Sequence, residues 1–137
     1  VAKYADVAWM GQIVRDYGLD ARLIGWGSEL LHGPVGAWVA EHELDVTHED
    51  VLNAMRHHTT GRANMSHLEK IIYVADMLEP NRQFPGVDDL RQMMYDGLGE
   101  VFEACVKHAL IHLISSGIAV FPQSIECYND MMSSERN

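Results

Sequence analysis

The chain has 137 residues, of which 47% are hydrophobic and 22% charged, the size and composition of one globular domain with a core rather than of a disordered chain. Its formal net charge of -10 argues against a nucleic-acid polymer or an anionic membrane as partner. No apolar run reaches the roughly 18 residues a spanning helix needs, and no signal peptide is apparent. Cys105 and Cys127 lack C-x-x-C partners, which speaks against a zinc ribbon or redox motif and for a reducing, cytoplasmic compartment.

The apolar spacing predicts helix after helix. Residues 5–17 carry Ala5, Ala8, Trp9, Gln12, Ile13 and Tyr17, with Gly18 as a stop. A second helix is expected over residues 34–43, with Pro34 near its start and Val35, Trp38 and Val39 inward. Thr47 is the expected cap of a third helix, with Asp50 as the acid near its N-terminus. That helix carries Val51, Leu52 and Met55, and His58 near its end. Ser66-x-x-Glu69 reads as a capping box before Leu68, Ile71, Ile72, Ala75 and Leu78, and Pro80 ends the fourth helix. Residues 81–86 read as a loop and Asp88 opens the next helix. The longest helix is expected over residues 98–116, with Leu98, Val101, Phe102, Cys105, Val106, Ala109 and Leu113 inward and Gly117 as a stop. Cys105 reads as a buried free thiol. Residues 118–121 read as a short extended piece, and 131–137 as frayed. The expectation is one all-α domain over residues 1–137, without repeat or linker.

His58 and Asp76 stand on neighbouring predicted helices, an arrangement that can hold a first-row metal. A carboxylate beside the expected stripe of Ile72 and Ala75 must be paired or metal-bound. The alternative for Asp76 is a bond to a helix N-terminus or a lysine. His32, in Leu30-Leu-His-Gly-Pro-Val-Gly36, is weak evidence alone and a candidate ligand beside the other two. His57 adjoins His58, and both cannot face one site, so His57 is placed on the rim. His108 and His112, spaced i, i+4, lack a third ligand and read as helix surface or as a contact in a homodimer. Thr59-Thr60-Gly61-Arg62 can present hydroxyls, backbone N–H groups and a guanidinium to one phosphate. Gly61 can equally be a left-handed helix cap, and both readings hold together. Arg82, in Glu79-Pro-Asn-Arg82, either reaches the same pocket or makes a surface salt bridge. A histidine and aspartate able to hold a metal beside a turn able to hold a phosphate together suggest a metal-dependent phosphohydrolase, and no arrangement for a serine or cysteine nucleophile is evident.

Leu31-His-Gly-Pro-Val-Gly-Ala37, His58-Thr-Thr-Gly-Arg62, Leu68-Glu-Lys-Ile-Ile-Tyr-Val-Ala-Asp76, Glu79-Pro-Asn-Arg82 and Phe84-Pro-Gly-Val87 together resemble the YqeK branch of the HD-domain phosphohydrolases, over nearly the whole chain. The resemblance implies an HD-domain helical bundle that hydrolyses diadenosine tetraphosphate, or related dinucleoside polyphosphates, symmetrically to two ADP. It implies a small-molecule nucleotide as partner and a two-metal site, divalent or mixed-valence, usually described with iron. His32 and His58 would bind one metal and Asp76 the other. Lys3 and Arg62 would be catalytic, and Lys3, Thr59, Thr60, Gly61, Arg62 and Arg82 would contact substrate. The family's first metal-binding histidine and its His-Asp doublet would precede a segment similar to Val1-Ala-Lys3, so the chain is expected to begin just after them and to lack half the metal shell. Ile125-Glu-x-x-Asn129 resembles a family tail segment, with Tyr128 in place of a basic residue. The alternatives are another HD-type nucleotide phosphohydrolase and a truncated, non-catalytic nucleotide- or metal-binding domain.

Overall fold

A computed structural model describes residues 2–134. The expectations attached to Val1 and to the tail over residues 135–137 lie outside the described residues. Among the described residues the chain is all-helical, as expected, with no strand. The helices are α1 (Val7–Asp16), α2 (Ser28–Glu43), α3 (Glu49–His57), α4 (His67–Leu78), α5 (Val87–Met93), α6 (Leu98–Ser115) and α7 (Pro122–Ser134). Single turns of 3-10 helix lie at Ala2–Tyr4 and Ala21–Leu23. The helices form two compact units that divide between Thr59 and Thr60.

In the first unit α1 buries Met10, Ile13 and Val14. This i, i+3, i+4 face replaces the expected one, and Trp9 remains 39% exposed. The second helix begins at Ser28 rather than at residue 34, with Pro34 inside it. Proline removes the N–H that would bond the Leu30 carbonyl. Burial of Leu31, Val35, Ala37, Val39 and Ala40 on that helix outweighs the loss. His32 therefore rides on α2 instead of preceding it. The cap of α3 is His48 and not Thr47, and it makes no side-chain cap bond. Leu52 packs on Ala37 and Ala40, while Val51 turns outward.

In the second unit Ser66 caps α4 as expected, its hydroxyl accepting the Glu69 N–H at 3.1 Å. The inward face of α4 is Glu69, Tyr73, Val74 and Leu78. The expected stripe is rotated: Ile71, Ile72 and Ala75 are exposed. The reason lies in Tyr73, whose ring meets Phe102 edge-on at 5.4 Å and turns that side of α4 into the core. Val87, Leu90, Val101, Phe102, Cys105, Val106, Leu110 and Cys127 complete the cluster. Residues 118–121 carry no strand, and 131–134 belong to α7 rather than to a frayed tail. Sequence reading missed α7 because only Cys127 on it is fully buried, which leaves little apolar period to detect.

Candidate metal and phosphate site

His32 and His58 are brought together within the first unit. His32 Nδ1 lies 3.0 Å from the Ser28 carbonyl, one turn back on α2. His58, the C-cap of α3, places its Nδ1 2.7 Å from the Met55 carbonyl. A carbonyl oxygen only accepts, so each Nδ1 donates its proton and each ring turns its Nε2 toward the other. The two Nε2 atoms face each other at 2.9 Å. At that distance the two nitrogens can share a proton in a hydrogen bond or be bridged by a metal ion. Two imidazole nitrogens about 2.1 Å from one ion and at right angles to each other lie about 3 Å apart, so the donor set fits a metal ion. The carbonyls behind the rings are the outer partners that fix a metal-binding imidazole.

Gly33 makes this approach geometrically possible. A Cβ at Gly33 would stand 2.9 Å from the Met55 carbonyl oxygen and 3.0 Å from that of Arg56. The bare backbone of α2 therefore lies against the last turn of α3. This role was not read from the sequence, and its one signal is the glycine that directly follows His32. Lys3 is exposed on the Ala2–Tyr4 turn of the same unit. The Thr59 hydroxyl is buried and has no hydrogen-bond partner among the described residues.

The rest of the Thr59–Arg62 turn, the candidate phosphate site, lies in the second unit. Thr60 is buried, its hydroxyl 2.9 Å from the Gly61 carbonyl and 3.2 Å from Gln123 Oε1. Gly61 adopts a left-handed φ of 66°. A Cβ there would meet Cys127 Sγ at 2.6 Å, so glycine is required both for conformation and for space. Burial pushes the Cys127 thiol up to about 11, which leaves it an inert neighbour of the turn. Arg62 donates from Nε and Nη2 to Glu69 at 2.9 and 2.5 Å. Glu69 is 1% exposed. The carboxylate that a capping box turns back toward Ser66 is also the one that closes Arg62. Glu69 was not singled out from sequence because its capping role masked it.

Asp76 and Arg82 are also brought together, again within the second unit. Arg82 donates from Nε to the Asp76 carbonyl at 3.2 Å and from Nη2 to its carboxylate at 3.4 Å. Asp76 is not beside the core stripe, as the sequence reading had it. Its side chain is 42% exposed, because the buried face of α4 runs through Tyr73 and Val74. The carboxylate is thus presented outward, and its partner is Arg82 rather than the helix N-terminus or lysine weighed for it. His108 packs its ring on Phe84 at 5.0 Å, while His112 is exposed. Among the described residues no three His, Cys, Asp or Glu side chains converge as a metal cluster, and no helix is long and apolar enough to cross a membrane.

A family model described as the HD domain matches residues 10–81. The chain is 45% identical over 129 residues to the symmetrical bis(5'-nucleosyl)-tetraphosphatase of Staphylococcus aureus (strain NCTC 8325 / PS 47), covering 93% of this chain and 66% of that protein. It is 40% identical over 132 residues to the enzyme of the same name from Bacillus subtilis (strain 168), covering 96% of this chain and 71% of that one. A crystal structure from Clostridium acetobutylicum, of a predicted HD superfamily hydrolase involved in NAD metabolism, superposes with a TM-score of 0.88 at 38% identity. That match covers 97% of this chain and 71% of the other. The chain thus spans about two thirds of the length of the relatives it matches.

Proposed function

Since the chain belongs to the HD-domain family and, within it, to the symmetrical bis(5'-nucleosyl)-tetraphosphatases, we propose that it catalyses the metal-dependent hydrolysis of diadenosine tetraphosphate to two ADP. The observation that carries this reading is the pair of imidazole nitrogens, His32 Nε2 and His58 Nε2, converging at 2.9 Å. In this reading residues 1–137 act as one HD domain, and the reaction is cytoplasmic. His32 and His58 hold one ion, Asp76 offers its carboxylate to a second, and iron is the proposed metal. A bound metal ion would supply Lewis acidity and positive charge at the phosphoryl oxygens.

The chain's own residues then orient and neutralise the polyphosphate. The backbone of Thr60 and Gly61 and the Thr59 hydroxyl line the turn on which one phosphate rests. Arg62 commits two of its five N–H donors to Glu69 and keeps the guanidinium fixed beside that turn. Arg82 spans Asp76 and the substrate, so that one side chain senses both the carboxylate and a phosphoryl oxygen. Lys3 adds a further cation. Charge spread over phosphoryl oxygens is what such fixed donors stabilise in phosphoryl transfer.

Product analysis tests the reading. Incubation of the whole protein with diadenosine tetraphosphate and Fe2+, Mn2+ or Co2+ is expected to yield ADP alone by chromatography, and His58→Ala in it to lose one bound metal and nearly all turnover. Formation of AMP and ATP would assign the chain to asymmetric cleavage. Bound metal with no turnover would identify a binding domain, and full activity in His58→Ala would remove the histidine pair from the mechanism.

A further inference from the structure

Arg91, on α5, belongs to none of the motifs named above, yet its guanidinium is almost fully employed. Nε donates to the Leu78 carbonyl at 3.2 Å, and Nη2 donates to the Glu79 carbonyl at 2.9 Å and to the Arg82 carbonyl at 2.8 Å. Nη1 pairs with Asp88 at 3.0 Å. The side chain is 21% exposed, while Asp88 is 90% exposed and contributes little. The first two carbonyls are among those that an α-helix leaves without an intrahelical partner at its C-terminus, where a cation is also favoured by the helix dipole. The third belongs to the residue whose side chain reaches back to Asp76. Pro80 inside the turn removes the option of continuing α4, so the chain must leave the helix here. Closing three carbonyls at once needs a planar fork of donors, which arginine has and lysine lacks.

We propose that Arg91 is a positioning residue for the Asp76–Arg82 pair: by closing the Leu78, Glu79 and Arg82 carbonyls it fixes the turn from which Arg82 reaches Asp76 and the substrate. Arg91 touches neither metal nor nucleotide in this role. The proposal rests on the reading of Asp76 and Arg82 as site residues, and the test separates the two.

Two measurements decide it. Backbone amide exchange is read first, on the folded chain without metal or substrate. In Arg91→Met the Asn81 and Arg82 amides, bonded to Glu79 at 3.0 Å each in the parent, are expected to exchange at least about tenfold faster. Amides of α6 are expected to keep parent rates. Arg91→Lys, which keeps the charge without the fork, is expected to fall between the two and serves as the test if Arg91→Met fails to fold. Parent exchange at Asn81 and Arg82 in both variants overturns the clamp. The second measurement is a kinetic cycle on diadenosine tetraphosphate with Arg82→Ala, Arg91→Met and the double variant. Each single change is expected to lower kcat/KM about tenfold or more, and the double to be within about twofold of Arg82→Ala alone, because one acts through the other. Effects that multiply would show that Arg91 acts elsewhere, as a merely structural residue would, and overturn the proposal. If Arg82→Ala itself leaves kcat/KM at the parent value, the reading of Arg82 falls and with it the positioning role, whereas unchanged kinetics in Arg91→Met beside a crippled Arg82→Ala would sink the inference alone.

Discussion

Glu69 is the residue whose environment leaves it least freedom. Its carboxylate is 1% exposed and is closed by Arg62 through two hydrogen bonds. Removing one partner of such a pair strands a buried charge. Arg62→Met is therefore expected to destabilise the fold by about 3–5 kcal/mol in urea titration, and pairing it with Glu69→Leu to recover most of the loss. A change below about 1 kcal/mol in the single variant would show that Glu69 finds another partner. The consequence for function is practical: a hydrolysis defect in an Arg62 variant speaks to phosphate contact only when measured well below its melting point. Gly61→Ala makes a sharper case. A left-handed φ costs an L-residue roughly 1–2 kcal/mol, and the contact of the added methyl with Cys127 roughly 1–3 kcal/mol. A combined loss of about 2–5 kcal/mol is expected, with Cys127→Ala relieving the contact and not the backbone. Full rescue by Cys127→Ala would mean the φ carries no cost. At this scale the sequence displayed the left-handed turn at Gly61 and the closeness of His32 to His58. It hid Glu69 and Arg91, whose partners are distant or are backbone carbonyls that carry no residue signature.

Helix boundaries were legible where side chains cap them and obscure where burial decides. Ser66 reads directly as a cap, and Ser66→Ala is expected to cost about 0.5–2 kcal/mol because its hydroxyl accepts the Glu69 N–H. The start of α2 was misread because proline was given the weight that Leu31 and Val35 hold. The stripe of α4 was misread because isoleucine outranks tyrosine on any hydropathy scale, while Tyr73 has the aromatic partner. Two glycines of α2 offer a controlled comparison. Both Gly33→Ala and Gly36→Ala gain the same helix propensity. A Cβ at Gly36 would meet only Ala2 Cβ at 3.6 Å, an ordinary contact, whereas at Gly33 it would press on two carbonyl oxygens. Gly33→Ala is expected to lose about 1–3 kcal/mol and Gly36→Ala to be neutral or stabilising. Equal effects by thermal melting would mean that α2 and α3 can part without cost.

For the molecule as a whole, alkali is the revealing condition. Burial raises the Cys105 and Cys127 thiols from their ordinary value near 9 to about 11, and raises the Tyr73 phenol as well. The sign follows from linkage. Above about pH 9 an unfolded thiol ionises while the folded one keeps its proton, so the unfolded state binds fewer protons and stability falls as pH rises. Stability is thus expected to hold below pH 9 and to decline between about pH 9 and 11, at no more than about 1.4 kcal/mol per pH unit for each thiol. Cys105→Ala and Cys127→Ala are each expected to flatten that slope. A slope unchanged in both would place the alkaline loss elsewhere. One further property follows from where the aromatic and sulfur residues fall. Trp9, Trp26 and Trp38, the three tryptophans, all precede the division between Thr59 and Thr60, and the two cysteines both follow it. Native tryptophan emission therefore watches one unit, and alkylation of the buried thiols watches the other, with no added label. If the two signals change at one denaturant concentration, the units melt as a single cooperative body. If they separate, each midpoint is the private stability of its own unit, and the histidine pair and the Asp76–Arg82 pair are protected by different amounts.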